Sequence, residues 1–216
     1  MTEATPPHRC RLVLIAPPEL DPGTLPGILA AGDVASLILP QYARDEVAFQ
    51  KLAQEATPLV QAAGAAMILA GETRTAARVG ADGVHIEAGR AALDDAIARL
   101  QPRMAVGAGG AKTRDAALDL GEARPDYIFF GRFGYDSKPD PHPRNLTLGQ
   151  WWAEMIEIPC IVMGGSEVAS ARAVAGTGAE FVALSSAVFA APDPAAAVAE
   201  ANALLDAHAP RRGEAA

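Results

Sequence analysis

Short apolar runs alternate along the chain with stretches in which apolar residues recur every three to four positions. The apolar runs lie at Arg11 to Ala16, Val34 to Leu39, Ala66 to Ala70, Gly83 to Ile86, Met104 to Ala108, Tyr127 to Phe130, Pro159 to Met163 and Phe181 to Leu184. Helical patterns between them include Asp45 to Ala62, Thr73 to Val79, Ala91 to Leu100, Thr113 to Leu120, Leu148 to Ile156 and Glu167 to Ala175. Alternation of this kind calls for parallel strands joined by right-handed crossovers. An open doubly wound sheet alternates in the same way. Eight units at a spacing of about 25 residues, with no glycine-rich phosphate fingerprint after the first strand, favour closure. The expected fold class is α/β, as a single (β/α)8 TIM barrel.

Length and composition sharpen this picture. At 216 residues the chain sits a little below the usual barrel size of about 250, and no stretch has the composition of an interdomain linker. The barrel is expected over 11–208. Residues 1–10 hold Pro6, Pro7 and His8 but no apolar h-region, which reads as a frayed lead-in rather than a signal peptide; residues 209–216 read as a disordered tail. Half of the residues are apolar, yet only 5% are aromatic; small side chains let helices lie close on a parallel sheet. The net charge is −8 with lysine and arginine scattered, which argues against a nucleic-acid or anionic-membrane surface and for a small-molecule partner. No segment has the length and apolarity of a membrane span. Cys10 and Cys160 are too few for a disulfide framework or a metal cluster, so the cytoplasm is the default compartment.

The chemistry is concentrated near the C-terminus. Pro159-Cys-Ile-Val-Met-Gly-Gly-Ser166 and Ala179-Glu-Phe-Val-Ala-Leu-Ser-Ser186 each run an apolar strand into a small turn rich in backbone N–H groups and hydroxyls. Two such ends in adjacent βα units are what a barrel places after its seventh and eighth strands, where phosphate is most often held. Gly164, Gly165, Ser185 and Ser186 are therefore expected to bind a phosphorylated small molecule. Arg132 follows the sixth strand directly, and an arginine at that end of a barrel strand suits an anion. The Pro-rich connection Asp136 to Asn145 is either a solvated loop or a substrate lid. His85 reads as a core histidine rather than an acid-base group. Trp151 and Trp152 read as outer packing at a helix start, with one of them a candidate contact in a homo-oligomer.

Four segments, in their order and spacing, resemble one family. Gly80-Ala-Asp-Gly-Val-His-Ile86, Pro125-Asp-Tyr-Ile-Phe-Phe-Gly131 with Lys138 downstream, Ile161-Val-Met-Gly-Gly-Ser166 and Val182-Ala-Leu-Ser-Ser-Ala-Val-Phe189 are similar to thiamine phosphate synthase and its relative thiazole tautomerase. The resemblance implies a (β/α)8 barrel. It also implies a reaction that joins hydroxymethylpyrimidine diphosphate to thiazole phosphate and releases pyrophosphate with Mg2+. Carried over by position, Gly164, Gly165, Ser185 and Ser186 hold the thiazole phosphate, Tyr135, Asp136 and Ser137 occupy the loop that touches it, and Lys138 holds the diphosphate. Arg132 stands where the tautomerase has its histidine, and joins Lys138 as a candidate catalytic cation.

Other positions depart from the family pattern. Its Asn-Asp-Arg after the third strand reads Ala70-Gly71-Glu72, and the stretch that leads to a second Mg2+ aspartate reads Glu87-Ala88-Gly89-Arg90, with a cation in the ligand's place. No metal ligand carries over, and Glu72 and Glu87 are the only substitutes. The Gln-x-Arg-x-Lys motif is absent, although Gln41 and Arg44 lie nearby, and the serine after the fifth strand reads Gly109. Two functions compete: a thiamine-pathway transferase with a rebuilt diphosphate site, or a barrel that keeps only the phosphate pocket for binding, regulation or another phosphorylated substrate.

Overall fold

The computed structural model describes residues 9–209. Residues 1–8 and 210–216, which carry most of the expected lead-in and tail, lie outside them. Eight strands, β1 (Arg11–Ile15), β2 (Val34–Pro40), β3 (Ala66–Ala70), β4 (Gly83–Ile86), β5 (Ala105–Ala108), β6 (Tyr127–Phe130), β7 (Cys160–Met163) and β8 (Phe181–Leu184), pair in parallel and in sequence order, and β8 returns to β1. This is the closed barrel that the apolar runs predict. Nine helices are present among the described residues. They are α1 (Leu25–Leu29), α2 (Glu46–Ala62), α3 (Thr73–Val79), α4 (Arg90–Leu100), α5 (Arg114–Glu122), α6 (Pro143–Met155), α7 (Ala171–Ala175), α8 (Ser186–Phe189) and α9 (Pro194–Ala207).

Successive side chains of a strand point to opposite faces, which divides the core in two. Leu12, Leu14, Leu37, Leu39, Val162 and Leu184 join the shell between strands and helices, whereas Val13, Ile15, Ile38, Tyr127, Phe129, Ile161 and Met163 fill the barrel itself. His85 lies between Val84 and Ile86, both in the outer shell, so it points inward; its ring lies 5.6 Å from that of Phe129 and 5.7 Å from that of Tyr127.

An acidic residue stands directly before every even-numbered strand: Asp33, Asp82, Asp126 and Glu180. Three of them accept a backbone N–H from the preceding strand, Asp82 from Met67 at 2.7 Å, Asp126 from Val106 at 2.7 Å and Glu180 from Cys160 at 2.9 Å. Asp33 instead takes the Arg11 guanidinium of β1, at 2.6 and 2.9 Å, which holds its carboxyl below the ordinary range. Strand starts at the lower rim leave N–H groups that the ladder does not use, and Asp82, Asp126 and Glu180 satisfy three of them. Their role is structural.

Helix α6 begins at Pro143, earlier than the Leu148 expected from the apolar pattern. Proline suits the first helical turn, where its missing N–H costs nothing, and His142 caps the turn by accepting the Arg144 N–H at 3.1 Å. Trp151 and Trp152 consequently lie in the second half of α6 rather than at its start. Trp152 is fully buried and donates its indole N–H to the Ile158 carbonyl at 2.7 Å, and Trp151 lies under Arg114 at 4.9 Å. Cys10 and Cys160 are both free and buried. Among the described residues no helix is long and apolar enough to cross a membrane.

Candidate active site

A cavity of about 550 Å³ opens at the C-terminal mouth of the barrel, above the ends of β2, β3, β4 and β6. Gln41, Glu72, His85, Glu87, Arg132 and Phe133 line it. The odd-face parity of β4 that carries His85 into the barrel also places it on the cavity floor. Its Nδ1 lies 3.0 Å from the Tyr127 hydroxyl, while Nε2 is buried with no partner. Burial pushes the His85 pKa down to about 3, so the imidazole is neutral at ordinary pH. Glu87 stands 4.0 Å from Nε2, too far and beside too neutral a ring for an ion pair. Burial raises the Glu87 carboxyl above its ordinary range, and Arg132 pulls it back down.

Gly109 adjoins this cluster. A Cβ there would lie 2.6 Å from His85 Nε2 and 3.4 Å from Glu87 Cγ. The space that a side chain would need is held by the imidazole and by Glu87.

Arg132 packs its guanidinium over the Tyr135 ring at 3.8 Å. Such a stack fixes the plane of the guanidinium and leaves its edge free for anions. Lys138 and Ser137 are exposed on the connection after β6, and neither lines the cavity.

At the ends of β7 and β8 the structure brings Gly164, Gly165, Ser185 and Ser186 together with the same connection. Every one of these groups has a partner inside the chain. Gly164 donates its N–H to the Ala183 carbonyl at 2.9 Å, Gly165 to Ser170 Oγ at 2.9 Å, and Ser166 to the Lys138 carbonyl at 2.7 Å. Ser185 Oγ donates to the Ile15 carbonyl at 2.8 Å. Ser186 gives both its N–H and its hydroxyl to Asp136 Oδ2, each at 2.7 Å. Gly165 admits no side chain, because its Cβ would lie 2.0 Å from the Pro139 carbonyl oxygen.

Among the described residues no three carboxylate, imidazole or thiolate groups converge as a metal site. Glu72 and Glu87 share the cavity, but Glu87 faces Arg132, a cation, and this set does not fit a Mg2+ site built by the protein alone. The expectation that Arg90 takes a ligand's place in the pocket is corrected. Arg90 is the first residue of α4 and reaches outward to Asp94 at 2.9 Å and to Asp119 and Glu122 of α5 at 3.5 Å. Gly89, at φ 84°, turns the chain so that the guanidinium leaves the mouth. Arg44, from the region of the missing basic motif, is likewise tied to the carbonyls of Pro40 and Pro18, whereas Gln41 does reach the cavity.

A model of the thiamine monophosphate synthase family matches residues 12–188. The thiamine-phosphate synthase of Rhodospirillum centenum is 38% identical, over 91% of this chain and 98% of its own, and that of Hyphomonas neptunium is 34% identical, over 95% and 99%. The thiamine phosphate pyrophosphorylase of Pyrococcus furiosus superposes with a TM-score of 0.78 at 19% identity, covering 93% of this chain and 98% of its own, which establishes the shared fold. With the family model spanning nearly all of the barrel, this chain belongs to the thiamine monophosphate synthase family.

Proposed function

We propose that the chain is a transferase of thiamine biosynthesis, which joins hydroxymethylpyrimidine diphosphate to thiazole phosphate and releases pyrophosphate. The observation that carries this reading is the pairing, in one cavity, of an arginine stacked on Tyr135 with a buried, neutral and unpartnered imidazole. A diphosphate and a heteroaromatic ring are what such a pair would take. Arg132, held by Tyr135, lies on the diphosphate side, and Lys138, exposed outside the cavity on the connection after β6, would have to swing in to meet the same charge. His85 floors the cavity beneath the ring, and the half-exposed Glu87 stands beside it. The bond from the pyrimidine methylene to the diphosphate oxygen breaks, a bond from that methylene to the thiazole nitrogen forms, and pyrophosphate leaves with the electron pair. Charge grows on the leaving oxygen, and the two cations stabilise it where it develops. The thiazole enters on the β7 and β8 side, between Tyr135 to Ser137 and the turns at Gly164–Gly165 and Ser185–Ser186.

The cytoplasmic location belongs to the same proposal, supported by two free, buried thiols. The test is turnover of the two precursors, followed by pyrophosphate release. Arg132→Ala and Lys138→Ala should each lower kcat/KM by about 10²-fold, the order seen when one stabilising donor is removed. Unchanged rates in both variants would end this reading. A second reading, a barrel that binds but does not convert, is favoured by the cavity's carboxylates: Glu87 sits beside Arg132, and among the described residues Glu72 and Glu87 do not converge with a third ligand. Calorimetric binding of a precursor without any turnover would establish it.

A further inference from the structure

The ends of β7 and β8 hold donors of the kind that cradle a phosphate, but the chain has filled them from within. Three observations meet there. The Asp136 carboxylate, 8% exposed, takes two hydrogen bonds from Ser186 through one oxygen, Oδ2, and its backbone carbonyl lies 3.0 Å from the same hydroxyl. The Lys138 carbonyl takes the Ser166 N–H, and Pro139 closes over Gly165 so tightly that a Cβ would strike it. Among the described residues Asp136 makes no ion pair, so its charge is met by these serine donors alone.

We propose that Asp136 is a specificity-determining residue, an internal anion that holds the phosphate position of the thiazole side. A phosphorylated thiazole then binds only by displacing the Asp136 carboxylate from Ser186. This inference rests on the reading of that side as the thiazole pocket. Two anions cannot share the Ser186 donors, because like charges at this separation in a partly buried site repel by more than water screens. The uncharged alcohol form of the thiazole meets no such conflict: Oδ1 of Asp136 receives no hydrogen bond among the described residues and can accept one from a hydroxyl. Asp136 thereby narrows the preference for the phosphate ester over the free alcohol.

The residue also explains why the connection lies down. Its two bonds to Ser186 span 50 positions of sequence and fasten the segment from Asp136 to Pro139 over the β7 turn. When phosphate displaces the carboxylate, the segment is released and Gly165 and Ser166 become accessible.

Inorganic phosphate is a sufficient probe. It is titrated into the full chain and into the Asp136→Asn and Asp136→Ala variants, while backbone amide resonances are followed by NMR. Asparagine keeps an acceptor for the Ser186 N–H and removes the charge; alanine removes both. Both variants should bind phosphate at least about tenfold more tightly than the parent chain, with the Ser186 and Ser166 amides moving on addition. Equal affinity in all three proteins, weaker affinity in the variants, or no phosphate binding by any of them would overturn the proposal. The parallel turnover assay, with thiazole phosphate and with thiazole alcohol, separates this result from the functional reading. If phosphate distinguishes the variants but no protein turns over either thiazole, the transferase reading fails and the role of Asp136 stands.

Discussion

His85 and Tyr127 share a hydrogen bond of 3.0 Å inside the barrel, and the other imidazole nitrogen has no partner. The ring is wedged among Tyr127, Phe129 and Phe133, with centroids 5.2 to 5.7 Å away, so neither rotation nor water relieves it. A buried imidazole of this kind resists protonation.

That resistance sets a pH dependence of stability. The unfolded chain titrates His85 near 6.5, the folded chain near 3. Between these values the unfolded state holds a proton that the folded state refuses, so the contribution of His85 is complete above pH 6.5 and is lost as pH falls toward 3. The slope is about 1.4 kcal/mol per pH unit, hence about 2 kcal/mol between pH 7 and pH 5. Urea denaturation of the parent chain should show this loss, and His85→Gln should remove it. Equal pH slopes in the two proteins would mean that the imidazole is protonated in the fold.

Gly109 is expected to tolerate no side chain. A Cβ at this position would lie 2.6 Å from His85 Nε2 and 3.0 Å from Cε1. His85 is locked by Tyr127 and cannot swing away, so Gly109→Ser should cost about 1 to 3 kcal/mol by overpacking. The double variant with His85→Ala should recover most of that loss, because the two residues are in contact and their effects do not add. Chemical denaturation of the four proteins of this cycle measures it, and additive losses would show that the clash is relieved elsewhere.

Much of this fold was legible in the sequence, and the reasons are physical. Barrel strands such as Ile161 to Met163 are apolar on both faces, so an unbroken apolar run marks them, and observed bounds fall within a residue or so of the expected ones. Parity was not legible: with apolar Val84 and Ile86 on either side, the run does not say which face His85 takes, and only the structure turns it inward. Nor was the direction of Arg90 legible, because an aligned position says nothing about the turn that Gly89 makes before it. The start of α6 was hidden by the polar, Pro-rich run before Leu148, where Pro143 marks a helix start rather than a loop. Least legible was Asp136, whose partner Ser186 lies 50 residues away and on a different βα unit. No local pattern joins two such residues; only closure of the barrel does. Helix α9 is rich in alanine and carries little alternation of polar and apolar residues, so it left no strong period in the sequence.

Magnesium provides the last test. A metal site built by the chain alone would need carboxylates that converge, and the cavity offers Glu72 and Glu87 from the ends of different strands, with Arg132 beside the second. Mg2+ holds its waters strongly and binds through one or two carboxylates together with substrate phosphates. The free chain should therefore show no calorimetric signal with Mg2+ at low millimolar concentration, whereas the chain with pyrophosphate present should show one. Glu72→Ala and Glu87→Ala should leave the first result unchanged, and whichever of the two carboxylates contributes should weaken the second. Arg90→Ala should alter neither, because its guanidinium is turned away toward Asp94, Asp119 and Glu122. Tight binding of Mg2+ to the chain alone would show that Glu72 and Glu87 converge despite Arg132, and a loss of that binding in Glu87→Ala would identify the ligand.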